Sequence, residues 1–465
     1  MKSFKHLYIC IILFVTACSM TDYDSSVLTV DVDNYKVFSN VKNISSKTSN
    51  MQHWWRNIED PIFNKYVDEL LKDNLSLKQA AERIIQAKEV MNISGSDLLP
   101  SLSVDVGNSR SFAESSLTNN RAYTSNLDLK GNVAWQIDLF GKVNKSLESS
   151  TARFHATIYD LEALEHSLIA ELLKTRIDIS VNQEQLRLYK KMANIQKQIY
   201  KLTEERYSTG VKGLQLSHVY EAEKNYMQAK SVVSVAKTNL IASVYKLDVL
   251  LGNAPNSTDI SKEKIYLMPI PKDIAIYAPV KLLDRRPDLK SSRLRVIAAM
   301  SDIDIAVADL YPSLNIGASL GFTGNKLSNF LTADKLAGSI ATSITTALFS
   351  GGALRANIRL EKAEMKELAH AYSEDVLEAF KEVEVSLKQD SETASVLINK
   401  KTAFKALQSN ERMIKGRYNK GIEPLSSYLV TSYKKYVGEL DYITAQQDRW
   451  NARINLYLSL GGDWK

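Results

Sequence analysis

The side chains that most often carry chemistry are sparse and scattered in this chain. Its six histidines, His6, His53, His155, His166, His218 and His370, lie far apart, and only His218 and Glu221 stand at a spacing that puts two ligands on one helix face. A metal centre needs three or four ligands brought together, whereas a single pair three residues apart is far more often a solvated helix contact. The chain has no phosphate-binding glycine loop, dinucleotide fingerprint or Gly-x-Ser-x-Gly elbow. Phosphoryl, hydride and acyl transfer therefore all lack their usual apparatus. A net charge of +6 over 465 residues, with no basic cluster interleaved with aromatics, gives no reason to expect nucleic acid as a partner. What remains is one cysteine placed for acylation and two turns that break long helices.

The cysteine is Cys18. Lys2 and Lys5 precede an apolar run from Leu7 to Val15, and small residues follow, which is the pattern of a signal peptide over residues 1–17. Crossing a membrane takes roughly 20 apolar residues, so the run is too short for a span. Val15-Thr16-Ala17-Cys18 resembles the bacterial lipobox, which implies a diacylglycerol thioether and an N-acyl chain on Cys18 as the first mature residue. An ordinary signal peptide with an incidental cysteine is the alternative. Cys10 would leave with the signal, so the exported chain has no second thiol for a disulfide. Ser19 follows Cys18, where an aspartate would signal inner-membrane retention, and the lipoprotein resemblance thus implies the outer membrane.

The turns are Arg206-Tyr207-Ser208-Thr209-Gly210 and Arg417-Tyr418-Asn419-Lys420-Gly421. Each closes a stretch, 142–209 and 353–415, that contains neither glycine nor proline. As continuous helix the first would reach about 100 Å, too long to bury itself in its own small domain. The turns belong to a larger repeat: residues 76–102 align without gaps on 288–314, with 11 of 27 positions identical. Leu139-Phe140-Gly141-Lys142 then meets Leu348-Phe349-Ser350-Gly351, and Leu251-Gly252 meets Leu460-Gly461. One unit of about 190 residues is duplicated.

The units organise the chain. Residues 18–61 form a lipidated N-terminal segment, part of which a family resemblance assigns to a belt around the middle of the molecule. The first repeat spans 62–255, with strands near 101–112 and 122–138 and long helices near 142–209 and 214–251. A proline-rich connector covers 256–285. The second repeat spans 286–465, with strands near 312–322 and 337–349 and helices near 353–416 and 424–460. The strands are read from strict alternation, as in Leu102, Val104 and Val106 or Ile340, Thr342 and Ile344. The helices carry heptad-like rows, Val219-Ala222-Tyr226-Ala229-Val233 in one and Val430-Tyr433-Val437-Leu440 in the other. Four strands are too few to close a membrane barrel, whose smallest form has about eight, so strands facing lipid would have to be pooled between copies. Two or three copies both satisfy that count.

Leu282-Leu283-x-Arg285-Arg286-Pro287-Asp288-Leu289, Ala308-x-Leu310-Tyr311-Pro312-x-Leu314, Trp135-x-x-Asp138-Leu139-Phe140-Gly141 and the two Arg-Tyr-x-x-Gly turns carry a family resemblance. Together they resemble the TolC-like outer-membrane efflux proteins, in particular the lipoprotein branch serving resistance–nodulation–division pumps. The resemblance implies a mainly α fold with a small β part. In it, a homotrimer builds a 12-strand outer-membrane barrel continuous with a 12-helix periplasmic barrel. It implies an exit duct for small molecules, with a periplasmic adaptor, an inner-membrane RND or ABC transporter and outer-membrane lipid as partners. No cofactor beyond the lipid on Cys18 is implied, and no catalysis. Arg206, Tyr207, Gly210, Arg417, Tyr418, Gly421 and Glu423 become candidate gate residues at the helix tips. Relatives often ring the constriction behind the second tip with aspartate; this chain has Ser427 and Val430, which implies a neutral, partly hydrophobic constriction. A pore-less, lipid-anchored coiled-coil scaffold and the outer-membrane duct of a type I protein-secretion system remain the alternatives.

Overall fold

The computed structural model describes residues 54–58, 60–114, 121–258, 285–326, 328 and 331–461. Cys18, its signal segment and most of the connector lie outside the described residues. Helices α1 (Pro61–Asp73) and α2 (Leu75–Ser96) lead into strands β1 (Ser101–Glu114) and β2 (Arg121–Ile137). The antiparallel hairpin of α3 (Lys142–Ser208) and α4 (Leu216–Leu250) follows. The second unit runs α5 (Pro287–Ala308), β3 (Ser313–Gly324), β4 (Leu336–Thr345), α6 (Ala353–Asn419) and α7 (Leu425–Ser459). The duplication extends to length: α2 and α5 have 22 residues each, α3 and α6 have 67, and α4 and α7 have 35.

Local chemistry sets these boundaries. Asp60 accepts hydrogen bonds from the backbone N–H of Ile62 and Phe63 at 2.9 and 3.1 Å, with Pro61 in the first turn where a missing N–H costs nothing. Asn74 caps α2 in the same way and donates from its amide to Leu250 O at 2.8 Å, tying the start of α2 to the end of α4. The strands instead turn into the long helices on glycine, Gly141 at φ 76° and Gly352 at φ 87°, a conformation that costs other residues. The two hinges are 211 positions apart, whereas the preceding Leu-Phe pairs are 209 apart. The paired strands before the hinges are also 211 apart, Ala134 corresponding to Thr345, so the hinges are equal in length. The Leu-Phe pair stands two residues earlier in the second unit, and Gly352, not Gly351, corresponds to Gly141.

The four strands form one antiparallel sheet in chain order. Its register collects the alternation of all strands onto common faces. Leu102 pairs with Val133, Val133 with Ala318, and Ala318 with Ile340, while Val106, Leu129, Phe322 and Leu336 make a second such row. The opposite face carries Asp105, Asn126, Asp128, Lys130, Asn132, Asn315 and Ser319. Across it, Asn132 donates to Asp105, Lys130 pairs with Asp128 at 2.8 Å and Thr323 donates to Asp128 at 3.0 Å. A slip of one residue would exchange the faces, so the pattern specifies the register. β1 and β4 are left as open edges.

Below the sheet each long helix is covered in two stages. Near the strands α3 packs against α2 and α5; beyond mid-length it packs against α4 and α7. The largest core lies between these stages. There Phe63, Tyr66 and Leu70 of α1 meet Leu172, Leu173 and Ile177 of α3, Leu247 of α4 and Trp450 and Ile454 of α7. Trp55 and Ile58 join it from the short 3-10 turn Trp54–Ile58. This belt also buries charge: Arg449 and Arg453 both donate to Asp390 of α6, the latter from Nε at 2.8 Å. Burial alone would push the Asp390 carboxyl up, but the two guanidinium groups outweigh it and hold it below the usual carboxylate range. Among the described residues no helix is long and apolar enough to cross a membrane.

Helix α7 departs from its heptad reading. Leu429, Ser432 and Ile443 are its buried residues towards the tip, while Val430 and Val437 are 44% and 39% exposed in the protomer. The two sets lie one residue apart, so both satisfy a three-four pattern. Which one is covered depends on which neighbour the helix meets.

Candidate functional site: the helix tips

Both Arg-Tyr-x-x-Gly segments fold into the same backbone motif. In the first, Gly210 N–H donates to Tyr207 O at 3.0 Å and Val211 N–H to Arg206 O at 3.1 Å. In the second, Gly421 N–H donates to Tyr418 O and Ile422 N–H to Arg417 O, both at 2.9 Å. These are the paired reverse bonds of a Schellman cap, with glycine at φ 72° and 73°. The arginine carbonyl closes the cap in each, and a cation on the last turn is favoured by the helix dipole. The loops differ: 209–215 separates α3 from α4, but only 420–424 separates α6 from α7. The longer one needs a second left-handed glycine, Gly213 at φ 86°.

Side chains make the tips unequal. At the second, Arg417 Nε lies 3.2 Å from Glu423 Oε1 and the Tyr418 ring stacks on Tyr428, centroids 5.6 Å apart and planes at 8°. Arg417 is half exposed, so the ion pair orients the loop more than it stabilises it. At the first tip Tyr207 is 41% exposed. The corresponding ring pair there is Tyr200 on Tyr226, 6.4 Å apart at 8°, further from the turn. Sequence reading missed Tyr428, Tyr200 and Tyr226, although a signal existed. In an antiparallel hairpin, residues equidistant from the turn meet. Tyr418 with Tyr428 and Phe404 with Tyr442 are both centred on residue 423, and Tyr200 with Tyr226 on residue 213.

His218 has a structural role: its Nδ1 accepts the backbone N–H of Gln215 at 3.0 Å, capping the start of α4. No group of three potential ligands for a metal occurs among the described residues. Ser427 and Val430 lie in the first two turns of α7. Val430 borders a groove shared with the other hairpin, beside Leu202, Arg206, Leu214, His218 and Glu221. The structure thus brings the candidates of both tips to one end of the molecule, with α7 wedged beside the first hairpin.

Comparison with known proteins gives a consistent result. The sequence pattern of the family described as "Outer membrane efflux protein" matches residues 66–253 and 278–462. The pyoverdine export outer membrane protein OpmQ of Pseudomonas aeruginosa is 22% identical, over 90% of this chain and 89% of its own. Outer membrane protein OprJ of the same organism is 25% identical, over 88% and 86%. Among solved structures, the outer-membrane channel OprN superposes with a TM-score of 0.80 at 26% identity, covering 94% of this chain and 96% of that one.

Proposed function

The chain belongs to the outer membrane efflux protein family, and from that premise we propose that it is the exit duct of a tripartite pump for small molecules, gated at its helix tips. It is an outer-membrane efflux channel: three copies pool four strands each into a 12-strand barrel continued by a 12-helix barrel. The observation that carries the duct is the sheet. Its apolar and polar faces are separated over all four strands, its two edges are open, and it stands on helices of 67 residues. Lipid forbids open edges, and a water-filled lumen accounts for Asp105, Asp128 and Lys130 on the inner face.

The duct is passive. An inner-membrane RND or ABC transporter delivers the cargo, and a periplasmic adaptor engages the tips at Arg206, Tyr207 and Gly210 and at Arg417, Tyr418, Gly421 and Glu423. At rest the Tyr418–Tyr428 stack and the Arg417–Glu423 pair hold the second hairpin closed at its end, and Ser427 and Val430 line the constriction. Acylation of Cys18 adds an anchor in the outer membrane. Purified protein reconstituted in planar bilayers tests this reading: heat-modifiable trimers with discrete ion conductance are expected. Trimers that never conduct would leave the pore-less scaffold instead.

A further inference from the structure

One face of α7 carries a charge that the gate so far leaves unused. Between Leu425 and Arg449 the exposed residues are Val430, Lys434, Val437, Asp441, Thr444 and Asp448. Steps of four and three make them a single stripe along the helix. The opposite side, with Leu429, Ser432 and Ile443, is buried. Lys434 stands seven residues beyond Ser427, so it returns to within about 20° of the same direction around the helix. It is four residues beyond Val430, a rise of about 6 Å. We propose that three copies of Lys434 ring the lumen directly behind the constriction and make the gate select for anions, so that acidic small molecules are the favoured cargo. This rests on the trimeric-duct reading, with Ser427 and Val430 at its narrowest point.

The surroundings leave this charge unmatched. The adjacent Lys435 is held by Glu411 of α6 at 3.5 Å and is only 16% exposed. That ion pair lies between the Tyr418–Tyr428 and Phe404–Tyr442 stacks and belongs to the packing of the hairpin. Among the described residues Lys434 has no ion-pair partner. The next charge along the stripe, Asp441, is paired with Lys400 at 2.7 Å. The groove beside Val430 holds one carboxylate, Glu221, and one guanidinium, Arg206, which offset each other. Arg412 of α6 stands as far before residue 423 as Lys434 stands after it, and it adds a second exposed cation at the same level.

The distribution of charge along the chain agrees. Residues 181–240 and 391–440 are the halves of the two hairpins towards their tips. They hold 19 lysines and arginines against nine glutamates and no aspartate. The whole chain has a net charge of only +6, so the rest of it is net acidic. A narrow aqueous passage walled by protein focuses such a field and concentrates ions of the opposite sign. The effect reaches about one Debye length, some 8 Å at physiological salt, so it acts where the passage is tightest. The duplicate of Lys434 in α4 is Asn225, and the cation therefore belongs to the second unit alone.

Reversal potentials of full-length trimers in planar bilayers under a KCl gradient test the assignment. At low salt the chloride-to-potassium permeability ratio should exceed one several-fold, and it should fall towards one as salt is raised. K434Q should lower the ratio several-fold, and K434E should lower it further. K434C should regain the ratio on reaction with a cationic methanethiosulfonate and lose more of it with an anionic one, in channels already assembled. K435Q removes the same charge one residue away, on the packed side, and should leave the ratio near wild type. A wild-type channel that prefers potassium, or a ratio that neither K434E nor the two adducts of K434C shift, overturns the proposal. Equal losses in K434Q and K435Q overturn the ring and leave the diffuse charge of the tips as the cause. Trimers that never conduct overturn the duct reading instead.

Discussion

Gly252 and Gly421 share a backbone conformation but not a surrounding. Both have φ near +75°, yet a Cβ on Gly421 would meet nothing within 4 Å, while one on Gly252 would lie 3.0 Å from the carbonyl carbon of Asp73 and closer to its oxygen. Gly421→Ala should therefore cost only the left-handed penalty, about 1–2 kcal/mol. Gly252→Ala adds overpacking of about 1–3 kcal/mol against backbone, and thermal denaturation followed by helicity should rank the two in that order. Asp390 is a second single-residue case. Its carboxyl is held below its ordinary value in the folded chain, so the stability it contributes is present above the unfolded carboxylate range and is lost as pH falls below about 4. Asp390→Asn should destabilise by about 3–5 kcal/mol at pH 7, because two buried guanidinium groups lose their anion. The melting-temperature gap between wild type and variant should shrink at pH 3. Nothing in the sequence pointed to this cluster: Asp390 stands 59 and 63 positions from its two partners, and no periodicity links residues on different helices.

At the scale of elements, the hairpin tips are where local rules and function meet. The helix breaks, the glycines at positive φ and the strand alternation were all legible, because each follows from the residues within a turn or two. The pairing of helix faces was not. Val430 and Leu429 fit the same spacing, yet in the folded protomer Leu429 is buried and Val430 borders the groove beside the α3–α4 hairpin. The gate proposed for the second tip predicts a graded series. Tyr418→Phe retains the ring stacked on Tyr428 and should leave single-channel conductance near wild type, whereas Tyr418→Ala removes the stack and should raise it several-fold. Equal conductance in the two variants would remove Tyr418 from the gate. The constriction makes a separate prediction. With Ser427 and Val430 in place, divalent cations at low concentration should block weakly, and Ser427→Asp should make the block several-fold stronger by adding one carboxylate per protomer. Strong divalent block of the unaltered channel would exclude a neutral constriction.

At the scale of the whole molecule, the two proposed attachments to the membrane differ in when they act. A single acyl chain gives marginal, reversible binding, and two or three chains strengthen it by about 0.8 kcal/mol for each further CH₂ buried. A closed barrel is held by every apolar residue on its outer face. In each protomer Leu102, Val104, Val106, Phe112, Leu320, Ile340 and Ile344 are more than half exposed on that face, and each gains about 1.5–3 kcal/mol on leaving water. Summed over three copies, that burial is about 30–60 kcal/mol, enough to hold the assembled barrel in the bilayer without the lipid. Cys18→Ser, directed to the periplasm by an ordinary signal peptide, should therefore lose incorporation of labelled fatty acid and still fractionate with the outer membrane as a trimer. In that case the lipid serves the route to the membrane, holding each monomer at the bilayer surface while three incomplete sheets find one another. Its loss should appear as slower trimer formation after a pulse of synthesis, with the final yield and conductance of the assembled channel unchanged. Release of the variant into the periplasm as soluble trimer would show that the sheet does not hold the chain in lipid.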